Sequence, residues 1–207
     1  MSRRIDRQAH WQRVYETRAA DAVSWYQPAP QPSADLLKLA GAVPQSGIID
    51  VGGGASTLVD WLVGEGFGDV TVLDLSDAAL AAARSRLGAA AASVTWIAAD
   101  VTRWRPARPY DIWHDRAAFH FLTDPGDRAA YVDRLRKALR PGGHVIIGTF
   151  APDGPPRCSG LQVERYDAAK LSAALGEGFR LVDSCRHDHV TPWGAVQHFH
   201  FGTFLRT

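Results

Sequence analysis

Short apolar runs alternate with helical stretches along most of this chain, and near its end two apolar runs follow one another with no helix between them. Strand patterns fall at residues 47–51, 70–73, 94–98, 110–114 and 144–150. Helical patterns fall at 34–39, 57–64, 77–87, 127–139 and 167–175. Such alternation implies a parallel sheet with right-handed crossovers and helices on both faces. The last two runs, 180–190 and 197–205, are joined by Thr191-Pro192-Trp193-Gly194, and a turn that short makes them antiparallel neighbours. The expected fold is therefore a three-layer, doubly wound α/β domain whose sheet has seven strands, mostly parallel, ending in an antiparallel hairpin. A length of 207 residues with 46% hydrophobic content suits one such domain and its core. Pro28, Pro30 and Pro32 exclude helix and central strand from residues 27–33. They divide an N-terminal helical segment, 1–33, from the main domain, 34–207.

Charge narrows the partners. With 23 basic and 22 acidic residues the net charge is +1, and the basic clusters, Arg3-Arg4 and Arg134-Leu135-Arg136-Lys137, are too short for a nucleic-acid footprint. The two cysteines, Cys158 and Cys185, make no disulfide framework and read as free thiols in a reducing compartment. Residues 1–30 lack the apolar centre of a signal peptide, and no apolar stretch has the length of a membrane span. The expectation is a cytoplasmic protein with no membrane or nucleic-acid partner; nothing in the sequence fixes its oligomeric state.

In doubly wound sheets ligands lie beyond the carboxyl ends of the strands, where the strand order reverses. Three predicted strand ends carry suitable chemistry. Ile49-Asp50-Val51-Gly52-Gly53-Gly54-Ala55-Ser56-Thr57 combines a strand with a glycine turn that allows close approach of a ligand. Asp74 ends the next strand and is placed to accept both hydroxyls of a ribose. Asp100 ends the third and is placed to accept from an adenine amino group. A glycine turn followed by an acid also describes a dinucleotide site. Here, however, Thr57 stands at the third glycine position, and Asp50 sets negative charge beside the turn, where a pyrophosphate is disfavoured and a ligand bearing an ammonium and a sulfonium is favoured.

Taken together, these segments resemble the class I S-adenosylmethionine (SAM)-dependent methyltransferases, whose fold is Rossmann-like. IIDVGGGAST is similar to the glycine-rich first motif of that family, VLDLS to its second-strand acidic motif, AADV to its third-strand Asp, and LRPGGHVIIGTF to its passage into the fifth strand. The likeness covers residues 35–150, and the terminal hairpin agrees with it. Ser56 departs from the pattern, standing where many members carry a third glycine. The resemblance implies SAM as cofactor. Asp50, Gly52 and Gly54 would line its methionine moiety, with Gly53 and Ser56 in the same loop. Asp74 would hold the ribose, Leu75 would flank the adenine, and Asp100 and Val101 would address the adenine edge. Asp115 would sit near the methionine amino group.

The acceptor side is less determined. His10-Trp11-Gln12-Arg13-Val14-Tyr15 followed by Val23-Ser24-Trp25-Tyr26 resembles the N-terminal region of small methyltransferases that include trans-aconitate-like enzymes and those acting on citrate-synthase lysine. The resemblance implies a lid over the cofactor, with Trp25 against the sulfonium by cation–π attraction. His114 and Arg116 fall at the end of the fourth strand, with His120 just after. They are the candidate catalytic residues, able to bind an anionic acceptor or take up its proton. No metal site is expected, because His114, His120 and Cys158 lack a standard ligand spacing. His198 and His200 share a strand face. The expected activity is in-line methyl transfer to a small molecule. Transfer to a protein lysine is the alternative, and a nucleotide-dependent oxidoreductase or non-catalytic nucleotide-binding module the third reading.

Overall fold

The computed structural model describes residues 6–207. The Arg3-Arg4 pair and the first residues of the N-terminal segment lie outside the described residues. The elements, in order, are α1 (Arg7–Thr17), α2 (Ser33–Leu39), β1 (Ile48–Val51), α3 (Leu58–Gly64), β2 (Val70–Asp74), α4 (Asp77–Leu87), β3 (Val94–Ala98), β4 (Tyr110–Arg116), α5 (Pro125–Ala138), β5 (Leu139–Phe150), β6 (Arg157–Cys158), β7 (Leu161–Gln162), α6 (Ala168–Leu175), β8 (Phe179–Val190) and β9 (Val196–Arg206). Short 3₁₀ turns cover Ala20–Ala22, Gly88–Ser93 and Phe119–Phe121.

Seven strands form one sheet in the order β3-β2-β1-β4-β5-β9-β8. Strands β1 to β5 run parallel, β9 is antiparallel to β5, and β8 is antiparallel to β9. This is the expected doubly wound sheet with its terminal hairpin. Every residue of β1 and β2 is buried, as a parallel strand covered on both faces requires. Each face carries its own core. Trp113, Tyr131, Leu135 and Phe204 centre one, and Leu37, Leu62, Val72 and Phe201 the other. The strand order reverses between β1 and β4, which are direct neighbours with Asp50 beside His114 and Val51 beside Asp115. A crevice opens above that pair.

Ser76 caps α4 as expected, accepting from the Ala79 amide at 3.1 Å. Other boundaries moved for local reasons. Helix α5 begins at Pro125 because the Asp124 carboxylate caps the Gly126 and Asp127 amides. Strand β4 runs on to Arg116 because Asp115 and Arg116 still pair with Ile147 and Gly148. Pro141-Gly142-Gly143 ends α5 but does not delay the strand: β5 starts at Leu139, and its pairing with β4 steps from Tyr110–Leu139 to Ile112–His144, so the residues between bulge out. The β6–β7 hairpin was not expected. Its turn is Ser159-Gly160, both at positive φ (49° and 78°), the conformation that two-residue hairpin turns need. Among the described residues no helix is long and apolar enough to cross a membrane.

The N-terminal segment lies against the main sheet rather than away from it. Asp6 caps α1, and Gln12 anchors the helix to the start of α4, its Oε1 accepting from Ser76 Oγ (3.1 Å) and the Ala78 amide (3.2 Å). Farther along, three backbone carbonyls are each held by a different part of the domain. Ser24 O accepts from His189 Nε2 at 2.6 Å, Trp25 O from Arg116 Nη1 at 2.9 Å, and Gln27 O from Thr57 Oγ1 at 3.0 Å.

Candidate active site

The glycine turn after β1 makes room for two carboxylates. Gly52 has φ +70°, and a Cβ on it would lie 2.5 Å from Ala118 Cβ. A Cβ on Gly53 would lie 2.4 Å from Asp50 Oδ2, and one on Gly54 would lie 2.9 Å from Asp74 Oδ2. Any side chain at these two positions would displace the acids.

Asp50 is buried. Its Oδ1 bonds to His114 Nδ1 at 2.7 Å, and His114 Nε2 reaches Ser33 Oγ at 2.8 Å, so a buried chain runs from the first turn of α2 to the end of β1. Asp50 Oδ2 is buried without a hydrogen-bond partner. A carboxylate oxygen left so in the interior is a costly arrangement unless a cation or donor joins it. Asp74 is also buried, its Oδ1 accepting from the Ser76 amide at 2.8 Å. Burial pushes its carboxyl up to about 7, with the charge of Asp50 adding to the rise and the amides of Ser76, Leu75 and Gly54 opposing it.

A crevice of about 860 Å³, including its open mouth, runs over the ends of β1, β2 and β4. That falls within the range of small-molecule and cofactor sites, roughly 300–1,000 Å³. Asp74, Leu75, Asp100 and Val101 line one end; Arg116, Phe150, Cys158 and Phe199 line the other; Gly52 lies in its wall. A second cavity of about 500 Å³ adjoins it, lined by Asp50, Gly53, Ser56 and His114 among others. Tyr15, Trp25, Gly52 and Arg116 line both. Aromatic side chains of the N-terminal segment roof the crevice. The Trp11 ring meets Trp25 (5.5 Å) and Phe121 (4.9 Å) edge-on, and Trp25 Nε1 donates to Tyr15 Oη at 2.9 Å.

Most residues predicted from sequence therefore meet around these two cavities, with exceptions that have physical reasons. Asp115 does not reach a cavity: its oxygens accept from the amides of Ala118 (2.9 Å) and Phe119 (3.1 Å) and from Tyr131 Oη (2.7 Å), so it caps the turn after β4. Burial pushes its carboxyl up to about 6, against the opposing effect of these bonds. His120 also lies behind the wall, edge-on to Phe121 and tilted against Phe150, with Nε2 buried and unpartnered. Burial and the charge of Arg116 push it down to about 3, leaving it neutral at pH 7. His114 holds Asp50 rather than facing the acceptor end. Asp100 lines the crevice but is largely engaged, Oδ1 accepting from Thr102 N and Oγ1 and Oδ2 lying 3.5 Å from Arg7. Ser56 Oγ accepts from the Leu58 amide at 3.1 Å while the residue stays exposed at the smaller cavity.

Sequence reasoning missed other wall residues. Ala117, with φ +68°, turns the chain at the end of β4 in a conformation that costs a non-glycine residue about 1 kcal/mol; nothing in its identity announces this. Phe150 and Phe199 belong to β5 and β9, and only the register of those strands brings them together. Ser33 carried no signal as a partner of His114. Cys158, whose loop was expected near the acceptor side, does line the crevice; burial pushes its thiol up to about 11 despite a bond to Ser24.

Comparisons with known proteins agree with this fold. Residues 48–143 match the methyltransferase domain family. Just under half of the chain is thus similar to a methyltransferase domain. It is 27% identical over 158 residues to a ubiquinone biosynthesis O-methyltransferase of Serratia proteamaculans, covering 74% of this chain and 58% of that protein. It is 30% identical over 135 residues to a trans-aconitate 2-methyltransferase of Rhizobium leguminosarum bv. trifolii, covering 65% and 49%. The chain thus spans about half the length of these curated relatives. Among solved structures, a SAM-dependent methyltransferase from Anabaena variabilis superposes with a TM-score of 0.78 at 14% identity, covering 99% of this chain and 96% of that one. A 1,6-didemethyltoxoflavin-N1-methyltransferase from Burkholderia thailandensis gives 0.67 at 24% identity, covering 97% and 84%. At these identities the structural likeness speaks for the fold alone.

Proposed function

We propose that this chain is a class I SAM-dependent methyltransferase, which binds SAM in the crevice and catalyses transfer of its methyl group to a small-molecule acceptor. The observation that carries the reading is the pair of buried carboxylates, Asp50 and Asp74, set on either side of a glycine turn at the switch point of the sheet. Asp50 Oδ2 has no partner within the protein and suits the ammonium of the methionine moiety. Asp74 suits the ribose hydroxyls, Leu75 and Val101 the faces of the adenine, and Asp100 Oδ2 its amino edge. Bound there, SAM supplies an activated methyl carbon with a neutral thioether as leaving group.

The chain's own residues then have four tasks. His114 and Ser33 orient Asp50 for the ligand. The glycine turn lets a ligand lie close to the backbone. Trp11, Trp25 and Phe121 exclude water and confine the acceptor, which supplies most of what such a displacement needs, alignment and desolvation. Arg116 stands where an acceptor enters. Residues 6–33 form the lid, fastened through the carbonyls of Ser24, Trp25 and Gln27. His120 takes no proton in this scheme, since it is neutral at pH 7 and walled off from the crevice. The names of the relatives, directed at ubiquinone biosynthesis, trans-aconitate and didemethyltoxoflavin, support a small-molecule acceptor. No observation favours a protein lysine.

Calorimetric titration of SAM, S-adenosylhomocysteine (SAH) and NAD into the protein, beside the variant Asp74→Ala, tests the reading. Micromolar binding of SAM and SAH, lost in the variant and absent for NAD, is the expected result. Binding of NAD alone would overturn it.

A further inference from the structure

Arg116 is the cation of the acceptor end, and the three N–H donors on its Nε and Nη2 are spare. Its Nη1 donates to Trp25 O at 2.9 Å, and its guanidinium lies 5.0 Å from the centre of the Phe199 ring. Nε and Nη2 are buried and have no hydrogen-bond partner. These two nitrogens form one edge of the planar guanidinium, the fork that binds a carboxylate through two parallel N–H···O bonds. Among the described residues no carboxylate forms an ion pair with Arg116. Asp50, whose negative charge is felt at Arg116, spends one oxygen on His114. Burial lowers Arg116 only to about 10, so it stays charged at neutral pH. A buried, charged fork with no partner is costly to keep unless something joins it.

Position says what that is. Arg116 lines both cavities, and its end of the crevice is mostly apolar, with Phe121, Phe150 and Phe199 in the lining. Gln197 also lines the crevice, with Oε1 buried and unpartnered, a second polar group without a role in the fold. The contact with Phe199 sets the guanidinium toward β9, away from the carboxylates of Asp74 at the end of β2 and Asp100 just beyond β3. Resting on the proposed function, we infer that Arg116 is a carboxylate receptor and that the methyl acceptor is a small organic acid held by its Nε/Nη2 fork. Both nitrogens are closed off from solvent, so the acid reaches them as the N-terminal cover yields around Trp25.

The same chemistry has a second source, the carboxylate at the methionine end of the cofactor, and the experiment separates the two. Acetate, benzoate and succinate, each beside its neutral amide, are titrated into SAH-saturated protein at constant ionic strength. Wild type is compared with Arg116→Met and Arg116→Lys, with folding checked by circular dichroism and binding read by calorimetry and thermal midpoint. The expected result is that at least one acid binds tenfold or more tightly than its amide. That preference disappears in Arg116→Met and falls at least fivefold in Arg116→Lys, while SAH affinity stays within threefold throughout. If no acid outcompetes its amide, or the preference survives Arg116→Met, the receptor is overturned. If SAH weakens tenfold or more in Arg116→Met while 5′-methylthioadenosine, which lacks the amino-acid end, does not, the fork serves the cofactor and the acceptor assignment is overturned. If wild type fails to bind SAH, the proposed function fails instead, and the acid–amide comparison on the protein alone still decides the fork.

Discussion

The two ends of the crevice are built differently. At the cofactor end each important group stands at a strand end: Asp50 just before Val51, the last residue of β1, Asp74 as the last residue of β2, Asp100 just beyond β3. A parallel sheet brings such ends together whatever fills the helices between them. At the acceptor end, Trp11 and Trp25 come from the N-terminal segment, Arg116 from β4, Phe150 from β5, Cys158 from β6 and Phe199 from β9. Their meeting depends on an antiparallel register, a two-residue hairpin and a lid. The first kind of construction is repeatable across many proteins, and the second is free to vary with the acceptor. Breaking one end should leave the other standing, and that independence can be measured.

The largest effect is expected at Asp74. If Asp74 holds the ribose as proposed, Asp74→Ala takes away two charge-assisted hydrogen bonds, together worth about 3 kcal/mol or more, so SAH binding should weaken at least about a hundredfold by calorimetry. The acid preference set by Arg116 should persist. Loss of both would show that the two ends are one cooperative unit.

A subtler break uses pH. The Asp74 carboxyl is raised to about 7 by burial, and a ribose diol favours its ionised form. SAH affinity should therefore fall as pH drops through 7, by roughly tenfold between pH 8 and 6. In Asp74→Asn that dependence should vanish. Stability moves the opposite way. A carboxyl whose folded value lies above its unfolded one penalises the fold as pH rises from about 4 through 7. Asp74→Asn should thus equal or exceed wild type in thermal midpoint at pH 8 without ligand. An unchanged pH profile in the variant would place the titrating group elsewhere.

His114 joins the two ends, because it stands beside Arg116 in β4 yet serves Asp50. His114→Asn shortens the chain to Ser33 and frees the carboxylate. SAH should bind about fivefold less tightly, and the fold should lose about 1–3 kcal/mol for the buried groups left unpaired, read by urea denaturation. Ser33→Ala should reproduce a fraction of both. If His114→Asn weakens acid binding more than SAH binding, the sequence-based assignment of His114 to the acceptor is restored.

How much was legible follows the same division. The fold class, the sheet's closing hairpin, the Ser76 cap and the positions of Asp50, Gly52, Gly53, Gly54 and Asp74 could be read because each depends on a local pattern. Asp115 and His120 could not be placed, because the direction of a side chain at a strand end depends on what competes for it. Asp115 had free amides at Ala118 and Phe119 within reach and turned to them. His120 met two phenyl rings and lost its charge. The spare fork of Arg116 was invisible for the converse reason: no sequence states which bonds a side chain fails to make.

The smallest expected effect tests the lid. Trp25→Phe keeps the ring contacts with Trp11 but loses the Nε1 bond to Tyr15, and its backbone carbonyl still accepts from Arg116. The cost should be about 1 kcal/mol of stability, with SAH affinity changed by twofold or less, since Asp50 and Asp74 are untouched. Hydrogen exchange carries more information than either number. Amides of residues 11–26 should exchange more slowly when SAH is added to wild type, because the ligand fastens the cover it lies under. In Trp25→Phe that protection should shrink while protection in β1 and β2 stays. Equal protection everywhere would mean that the N-terminal segment is part of the core rather than a cover. The acceptor end would then be as rigid as the cofactor end, and entry of an organic acid would have to come from a side other than Trp25.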